Sequence, residues 1–141
     1  MYLPKEVEVI IVANNYNPQL LDISFTNCKI LKYNRSLLYS KAANIGVQNA
    51  TGDIITLMDQ DIFVTNNWYE PLIDKLLSDP NIGAVSSKMI NPTNNRILEY
   101  GIESSPYNTA HIGKVLSDQS SHVQSDLSVA SACGGVLMTY K

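Results

Sequence analysis

Two β-branched runs, each followed at once by a cluster of polar side chains, constrain the fold of this chain most strongly. The first run covers residues 7–12 and precedes the polar cluster at 14–16, and the second covers 54–58 and precedes 59–61. Such runs are typical of strands buried on both faces. Segments of helical spacing lie between them, so the sequence predicts right-handed βαβ units and an α/β fold with a mostly parallel sheet flanked by helices.

The remaining periodicity predicts further elements. Residues 29–33 alternate like a short strand, and a helix of about four turns is expected from Ser36 to Gly52. A second helix is expected to be capped by Asn66 or Asn67. Its apolar face would carry Trp68, Leu72, Leu76 and Leu77. The other expectations are a short helix at 19–25, a strand at 83–90, a short strand or buried turn at 132–140, and loops or short strands over 101–128.

Charge and hydropathy exclude several classes of protein. The net charge is −3, and the ten Lys and Arg residues form no basic stripe, so nucleic acid is not an expected partner. The longest apolar run has five residues, whereas a membrane-spanning helix needs roughly 20. Without a transmembrane segment or a secretion signal, the expected location is cytoplasmic, with Cys28 and Cys133 as reduced thiols.

Asp59 and Asp61 directly follow the second apolar run. Residues two apart in an extended segment project to the same side, so their carboxylates converge at the strand end where open α/β sheets bind ligands. A divalent cation, Mg²⁺ or Mn²⁺, would relieve the repulsion between them and could bridge a diphosphate. The alternative is an acidic loop that faces water.

Asn14, Asn15 and Tyr16 follow the first apolar run. Amide groups can hydrogen-bond to a planar base, and an aromatic ring can stack on it. This cluster therefore predicts nucleotide contacts. A plain turn is the alternative, because asparagine is a favoured turn residue.

Three residues of the first predicted helix region are candidates for the nucleotide. Lys41 and Asn44 lie three apart and share a helix face, from which they could reach a phosphate and a ribose. The opposite face is expected to be apolar, with Leu38, Ala42 and Ile45. Arg35 precedes the helix and could hold a phosphate with its forked guanidinium. Solvated surface residues fit the same pattern.

The order and spacing of four segments resemble family 2 glycosyltransferases of the GT-A fold, and particularly rhamnosyltransferase-type members. The segments are Asn34-Arg35-Ser36, residues 40–46 (Ser-Lys-Ala-Ala-Asn-Ile-Gly), residues 50–55 (Ala-Thr-Gly-Asp-Ile-Ile) and residues 57–61 (Leu-Met-Asp-Gln-Asp). Later similar segments are 83–92 and 132–138. The resemblance covers about residues 7–92 and 126–140.

The resemblance implies one GT-A domain over residues 1–141 with a three-layer αβα arrangement. It implies hexosyl or deoxyhexosyl transfer in glycan biosynthesis, from a UDP-, GDP- or dTDP-linked sugar to a glycan, lipid-linked or protein-linked acceptor. Asp59 and Asp61 would hold Mn²⁺ or Mg²⁺, with Asp59 also at the sugar diphosphate. Lys41 and Asn44 would lie near the nucleotide, while Gly134 and Gly135 would shape the acceptor or sugar pocket.

Two departures from the family pattern concern whether the chain contains every part of a family 2 glycosyltransferase domain. The chain has room for one full strand-and-loop unit before the helix that carries Lys41, where family members have two, and residues 7–17 could be either. An inverting transfer also needs a base, and no Asp or Glu follows Asp126, which leaves Asp126 as a candidate and the catalytic residue unassigned. The chain is expected to be a fragment of a longer protein with further domains, or a minimal version; otherwise the base is recruited from upstream or catalysis is impaired.

Two other functions fit parts of the pattern. A non-catalytic nucleotide-sugar-binding module would need no base. A phosphatase using Asp-x-Asp normally has Thr or Val two residues after the second aspartate, where this chain has Phe63. Metal-dependent, inverting glycosyl transfer is therefore the favoured hypothesis.

Overall fold

The structure is a computed structural model that describes residues 6–15, 27–105, 108–112, 116–121, 124–129 and 135–141. The chain divides into two compact units. The first comprises Met1–Ile55 with Lys141, and the second comprises Thr56–Tyr140. The expected helix at 19–25 lies outside the described residues.

The first unit contains a parallel pair of strands. Strand β1 (Val9–Asn14) pairs with β2 (Cys28–Tyr33), in register from Val9 opposite Cys28 to Asn14 opposite Tyr33. The prediction of β2 is confirmed, and β1 begins two residues later than expected. The first four residues of β1 are half-buried and Ala13 is buried, so the expectation of burial on both faces is wrong for most of the strand.

Helix α1 (Tyr39–Asn49) has 11 residues and packs against β1. It begins three residues later than Ser36, because the side chain of Asn14 engages Leu37 and the chain there is extended. Asn14 Nδ2 donates to the Leu37 carbonyl at 2.8 Å, and the Leu37 N–H donates to Asn14 Oδ1 at 2.6 Å. The helix starts only after this contact, with Leu38 extended at its N-terminus.

The loop after α1 is held by one carboxylate. Glu8 Oε1 accepts hydrogen bonds from the Thr51 N–H at 2.5 Å, the Thr51 hydroxyl at 2.7 Å and the Gly52 N–H at 3.2 Å. The bond from the Thr51 backbone is the main cause that lowers the pKa of Glu8 below its ordinary value. The Lys141 ammonium adds a bond to the Ala50 carbonyl at 2.6 Å.

A three-stranded sheet of order β3-β9-β4 supplies the strands of the candidate site. Its members are β3 (Ile54–Met58), β4 (Ala84–Ser86) and β9 (Val136–Tyr140). The predicted bounds of β3 are confirmed, but only Ile55 is buried and Met58 is 39% exposed, so the expectation of burial on both faces is wrong for this strand too. Strands β4 and β9 are antiparallel, with Val85 opposite Met138.

Helix α2 (Glu70–Leu77) packs against β4 and β9. Leu72 and Leu76 are buried as predicted, but Leu77 is 59% exposed and does not belong to that face. Asn66 and Asn67 do not cap the helix. Asn67 has a positive φ of 56°, and the helix starts at Glu70 because Pro71 is accommodated only in a first turn.

Two hairpin-like pairs complete the second unit. Strand β5 (Met89–Ile90) pairs antiparallel with β6 (Ile97–Glu99), and β7 (Ile102–Ser105) pairs antiparallel with β8 (Asn108–His111). The strand expected over 83–90 is therefore two separate strands, whereas the short strands expected within 101–128 are confirmed.

The described strands are mixed rather than mostly parallel. Of the four ladders whose register is described, β1 with β2 is parallel and the other three are antiparallel. Two helices and these short strands do not display a clear three-layer arrangement in the part of the chain that the structure describes. Neither described helix has the length and apolar character to cross a membrane. The cytoplasmic location stays a prediction.

Candidate functional site

The end of β3 places the Asp59 backbone beside the start of β9. The Asp59 N–H donates to the Gly135 carbonyl at 3.0 Å, and the Ile62 N–H donates back to the Asp59 carbonyl at 3.4 Å. The second bond turns the chain directly after the strand. Asp59 is half-buried and Asp61 is exposed, so the turn presents two carboxylates of different solvation.

Neither carboxylate is used inside the described structure. No hydrogen bond or ion pair joins the side chain of Asp59 or Asp61 to another group among the described residues. Those residues also contain no cluster of three or more His, Cys, Asp or Glu suited to a metal. Mg²⁺ and Mn²⁺ at phosphate sites take one or two carboxylates and complete their shell with phosphate oxygens and water. Two free carboxylates therefore fit a cation that arrives with a diphosphate.

Gly135 is also closely packed against the side chain of Met89. A Cβ at this position would lie 2.5 Å from Met89 Cε, 2.6 Å from Met89 Sδ and 3.6 Å from Ile62 Cδ1. The missing side chain lets Met89 and Ile62 approach the backbone that holds Asp59. Gly134, its expected companion in the sugar pocket, lies outside the described residues.

In the first unit, the residues predicted at the end of β1 are partly engaged in the fold. Both polar atoms of the Asn14 side chain bind the backbone of Leu37. The Asn15 N–H donates to the Arg35 carbonyl at 3.3 Å, and Asn15 adopts a positive φ of 54°, as an asparagine in a turn does. Tyr16 lies outside the described residues.

The polar face predicted for α1 is exposed. Lys41 and Asn44 both lie on the surface of the helix, and Arg35 is exposed ahead of it. Leu38, which was expected on the opposite apolar face, is 81% exposed because it precedes the helix. Ala42 and Ile45 of that face are half-buried. The cationic and amide groups are thus open to solvent, as nucleotide contacts require.

Asp126, the candidate base, forms an ion pair with Lys75. Asp126 Oδ2 lies 3.0 Å from Lys75 Nζ, and its side chain is 79% exposed. Lys75 belongs to the last turn of α2. An ion pair as exposed as this one is weak, and it places a lysine ammonium beside the candidate base.

The structure thus brings Asn14, Asn15 and Arg35 together in the first unit, and Asp59 and Gly135 in the second. Sequence reasoning assigned no role to Glu8, whose three hydrogen bonds reach a loop 43 residues away. It also assigned no role to Phe63, which is 93% exposed. The sequence feature that could have indicated a role for Phe63 is its position two residues after Asp61.

Comparison with known proteins gives one match. The sequence profile of the family described as Glycosyl transferase family 2 matches residues 3–129. No curated protein and no solved structure matches the chain significantly. The matched range contains Asp59 and Asp61 and ends before Gly134 and Gly135.

Proposed function

The chain belongs to glycosyltransferase family 2, and on that premise we propose that it transfers a sugar from a nucleoside-diphosphate sugar to an acceptor hydroxyl with a divalent cation held by Asp59 and Asp61. Family membership supports glycosyl transfer in general and implies the GT-A fold, a sugar-nucleotide donor and an acceptor. The observation that carries the cation assignment is the pair of unpartnered carboxylates at the end of β3.

Asp59 and Asp61 would act through charge and position. Bound Mn²⁺ or Mg²⁺ supplies a Lewis acid that stabilises the leaving diphosphate. The bond from the Asp59 N–H to Gly135 fixes the backbone of one ligand. Asp61 is exposed and free to adjust to the incoming diphosphate. A rigid first ligand and an adjustable second one suit a cation that arrives with its substrate.

The reaction proposed at this site is an inverting displacement. The acceptor oxygen forms a bond to the anomeric carbon, the bond from that carbon to the diphosphate breaks, and the electron pair leaves with the phosphate. The acceptor proton passes to a base. The ion pair between Asp126 and Lys75 does not favour Asp126 for this role, so the base stays unassigned.

The remaining assignments stay predictions. Arg35, Lys41 and Asn44 are proposed as nucleotide contacts because their side chains are exposed and of suitable charge. The Asn14 side chain already makes two bonds to Leu37. It would therefore contact a nucleotide only through the remaining donor hydrogen and acceptor lone pair of its amide. The rhamnosyltransferase-like character and the choice of UDP, GDP or dTDP donor rest on the sequence resemblance alone.

Calorimetric titration of UDP-, GDP- and dTDP-sugars with and without Mn²⁺ tests the proposal. We expect one nucleotide class to bind in a Mn²⁺-dependent manner and the Asp61→Asn variant to lose that dependence. Asp74→Asn is the matched control, since Asp74 is an exposed aspartate of α2. Binding of no nucleotide, or equal binding by Asp61→Asn, would contradict the proposal.

A non-catalytic nucleotide-sugar-binding module is the second candidate. It needs no base, and the one candidate, Asp126, is an exposed carboxylate paired with Lys75. Release of nucleoside diphosphate from the bound donor, measured over hours with an acceptor mixture, separates the two. Metal-dependent binding without any release would support the module.

A further inference from the structure

We propose that Phe63 is the platform on which a sugar ring of the acceptor stacks. The proposal rests on the function proposed above and adds to it a residue that contacts the acceptor. Phe63 is 93% exposed, more than any of the other large apolar side chains exposed in the described part of the chain. It lies two residues after Asp61, in the segment between β3 and α2.

The residue before Phe63 holds the turn that carries the exposed ring. Ile62 is half-buried and its Cδ1 lies close to Gly135, at 3.6 Å from the position a Cβ would take there. The Ile62 N–H is also bonded to the Asp59 carbonyl. Ile62 therefore holds the turn against Gly135, and the next side chain, Phe63, is left in solvent.

Packing gives no reason for a phenylalanine at this position. Transfer of a phenylalanine side chain out of water is worth about 1.5–3 kcal/mol when it is fully buried, and a ring that is 93% exposed gains little of this. Leaving the ring in water contributes little to the fold, so a substitution there should not unfold the protein. An effect of Phe63 on binding can then be separated from an effect on stability.

Chemistry and distance favour a sugar as the partner. The face of an aromatic ring carries partial negative charge, which attracts the C–H groups on the apolar face of a sugar ring. Two residues of chain span at most about 7 Å, so Phe63 lies close to the carboxylate proposed to hold the donor diphosphate. The sugars that react are bound beside that diphosphate, whereas the nucleobase of the donor is separated from the diphosphate by the ribose.

Between the two reacting sugars, the inference is for the acceptor. The donor sugar is already held through the diphosphate to which it is bonded, whereas the acceptor needs a contact of its own. The donor sugar offers the same C–H surface, so the experiment needs one arm for each source. The nucleotide base is a third outcome.

Fluorine NMR of protein labelled with 4-fluorophenylalanine tests the proposal without turnover. The chain contains two phenylalanines, so two resonances are expected, and Phe63→Leu assigns them. The probes are methyl glycosides of glucose, galactose, mannose, rhamnose and N-acetylglucosamine, then UDP, GDP and dTDP with Mn²⁺, then the corresponding sugar nucleotides. At least one glycoside is expected to shift the Phe63 resonance saturably.

Saturation-transfer NMR on that glycoside then compares variants. Phe63→Ala should weaken binding at least about tenfold, and Phe63→Trp should retain it, because the stacking surface is lost in one and kept in the other. Leu98→Ala, at a position 44% exposed on β6, is the matched control and should bind as the wild type does.

Three results would overturn the inference. They are the absence of a Phe63 shift with every glycoside, a shift produced only by nucleotides or only by sugar nucleotides, and unchanged glycoside binding by Phe63→Ala. If nucleotides fail to bind while a glycoside still shifts Phe63, the function proposed above fails and the platform stands. If nucleotides bind with Mn²⁺ and no glycoside shifts Phe63, the platform alone fails.

Discussion

The two compact units of this chain differ in what holds each of them together. The second unit has a core of fully or nearly fully buried apolar side chains. These are Leu72, Leu76, Ile97, Val136 and Met138, at 9%, 0%, 1%, 2% and 2% exposure. Among the described residues of the first unit, the buried apolar ones are Ala13, Leu37 and Ile55, at 6%, 7% and 9%.

Polar side chains bind distant backbone in both units, for example Tyr140 to Leu76 in the second. Among the described residues of the first unit they accompany fewer buried apolar side chains. Asn14 holds Leu37, and Glu8 holds Thr51 and Gly52. Such bonds contribute modestly to stability but fix geometry, whereas apolar burial contributes most of the free energy. Substitutions should therefore have their largest effects in the second unit, and pH should act mainly through the first.

Removal of a core side chain should have the largest effect. Leu76→Ala is expected to lower the free energy of unfolding by about 2–5 kcal/mol, because it opens a cavity at a position that is 0% exposed. Urea denaturation followed by fluorescence of Trp68, the one tryptophan of the chain, reports this unit. Leu77→Ala, at 59% exposure, is the control and should change the value by less than about 1 kcal/mol. Equal losses in the two variants would show that the second unit has no such core.

Addition of one methyl group at Gly135 should have the next largest effect. Gly135→Ala would place its Cβ 2.5 Å from Met89 Cε and should cost about 1–3 kcal/mol, since Met89 or the backbone beside Asp59 must move. Gly83→Ala is the matched control because a Cβ there would meet nothing within 4 Å. Recovery of stability in the Gly135→Ala, Met89→Ala double variant would identify the contact. A Gly135→Ala variant as stable as Gly83→Ala would contradict the packing described.

In the first unit, Asn14→Ala should have a smaller effect. Two hydrogen bonds to Leu37 are lost, which should cost about 1–2 kcal/mol and speed hydrogen exchange at the amides of β1 and at Leu37. Asn44→Ala removes an exposed asparagine of α1 and should leave these exchange rates unchanged. Exchange that is the same in both variants would mean that the Asn14 contact does not hold the start of α1.

The smallest effect is expected from Glu8 and depends on pH. The pKa of Glu8 is lowered in the folded protein, so its contribution is present above its ordinary pKa of 4.5 and is lost as the pH falls through the lowered value. The difference in melting temperature between wild type and Glu8→Gln should be measurable at pH 7 and shrink as the pH is lowered below 4.5 through the lowered pKa of Glu8. Glu6→Gln serves as the control. A difference that does not change as the pH falls would exclude the charge as its cause.

Local patterns in the sequence predict part of the fold well. Residues 29–33 and 54–58 are strands as expected, because β-branched runs and alternation depend on the segment itself. The start of α1 is not predictable in this way. It is set by Asn14, which lies 23 residues before its partner Leu37. The start of α2 follows from Pro71, which is a local signal. The capping preference of Asn67 is also local, but it predicts a start that is too early.

Strand order and the surroundings of the site depend on contacts between distant residues. The antiparallel pairing of β4 with β9 departs from the expected parallel sheet, and no periodicity specifies it. The sequence indicates Asp59 and Asp61 through their place after β3, but the meeting of Gly135 with Met89 and Ile62 is visible only in three dimensions. Phe63 had no apparent use in the sequence and is distinguished only by its exposure.

Electron paramagnetic resonance of Mn²⁺ tests the assignment of Asp59 and Asp61 most directly. In the presence of UDP, GDP or dTDP, wild type and Asp74→Asn should reduce the signal of the free aqueous ion by binding one equivalent of Mn²⁺. The Asp59→Asn and Asp61→Asn variants should leave most of that signal in place, because each lacks one of the two carboxylates proposed as ligands. Full Mn²⁺ binding by both of these variants would contradict the account.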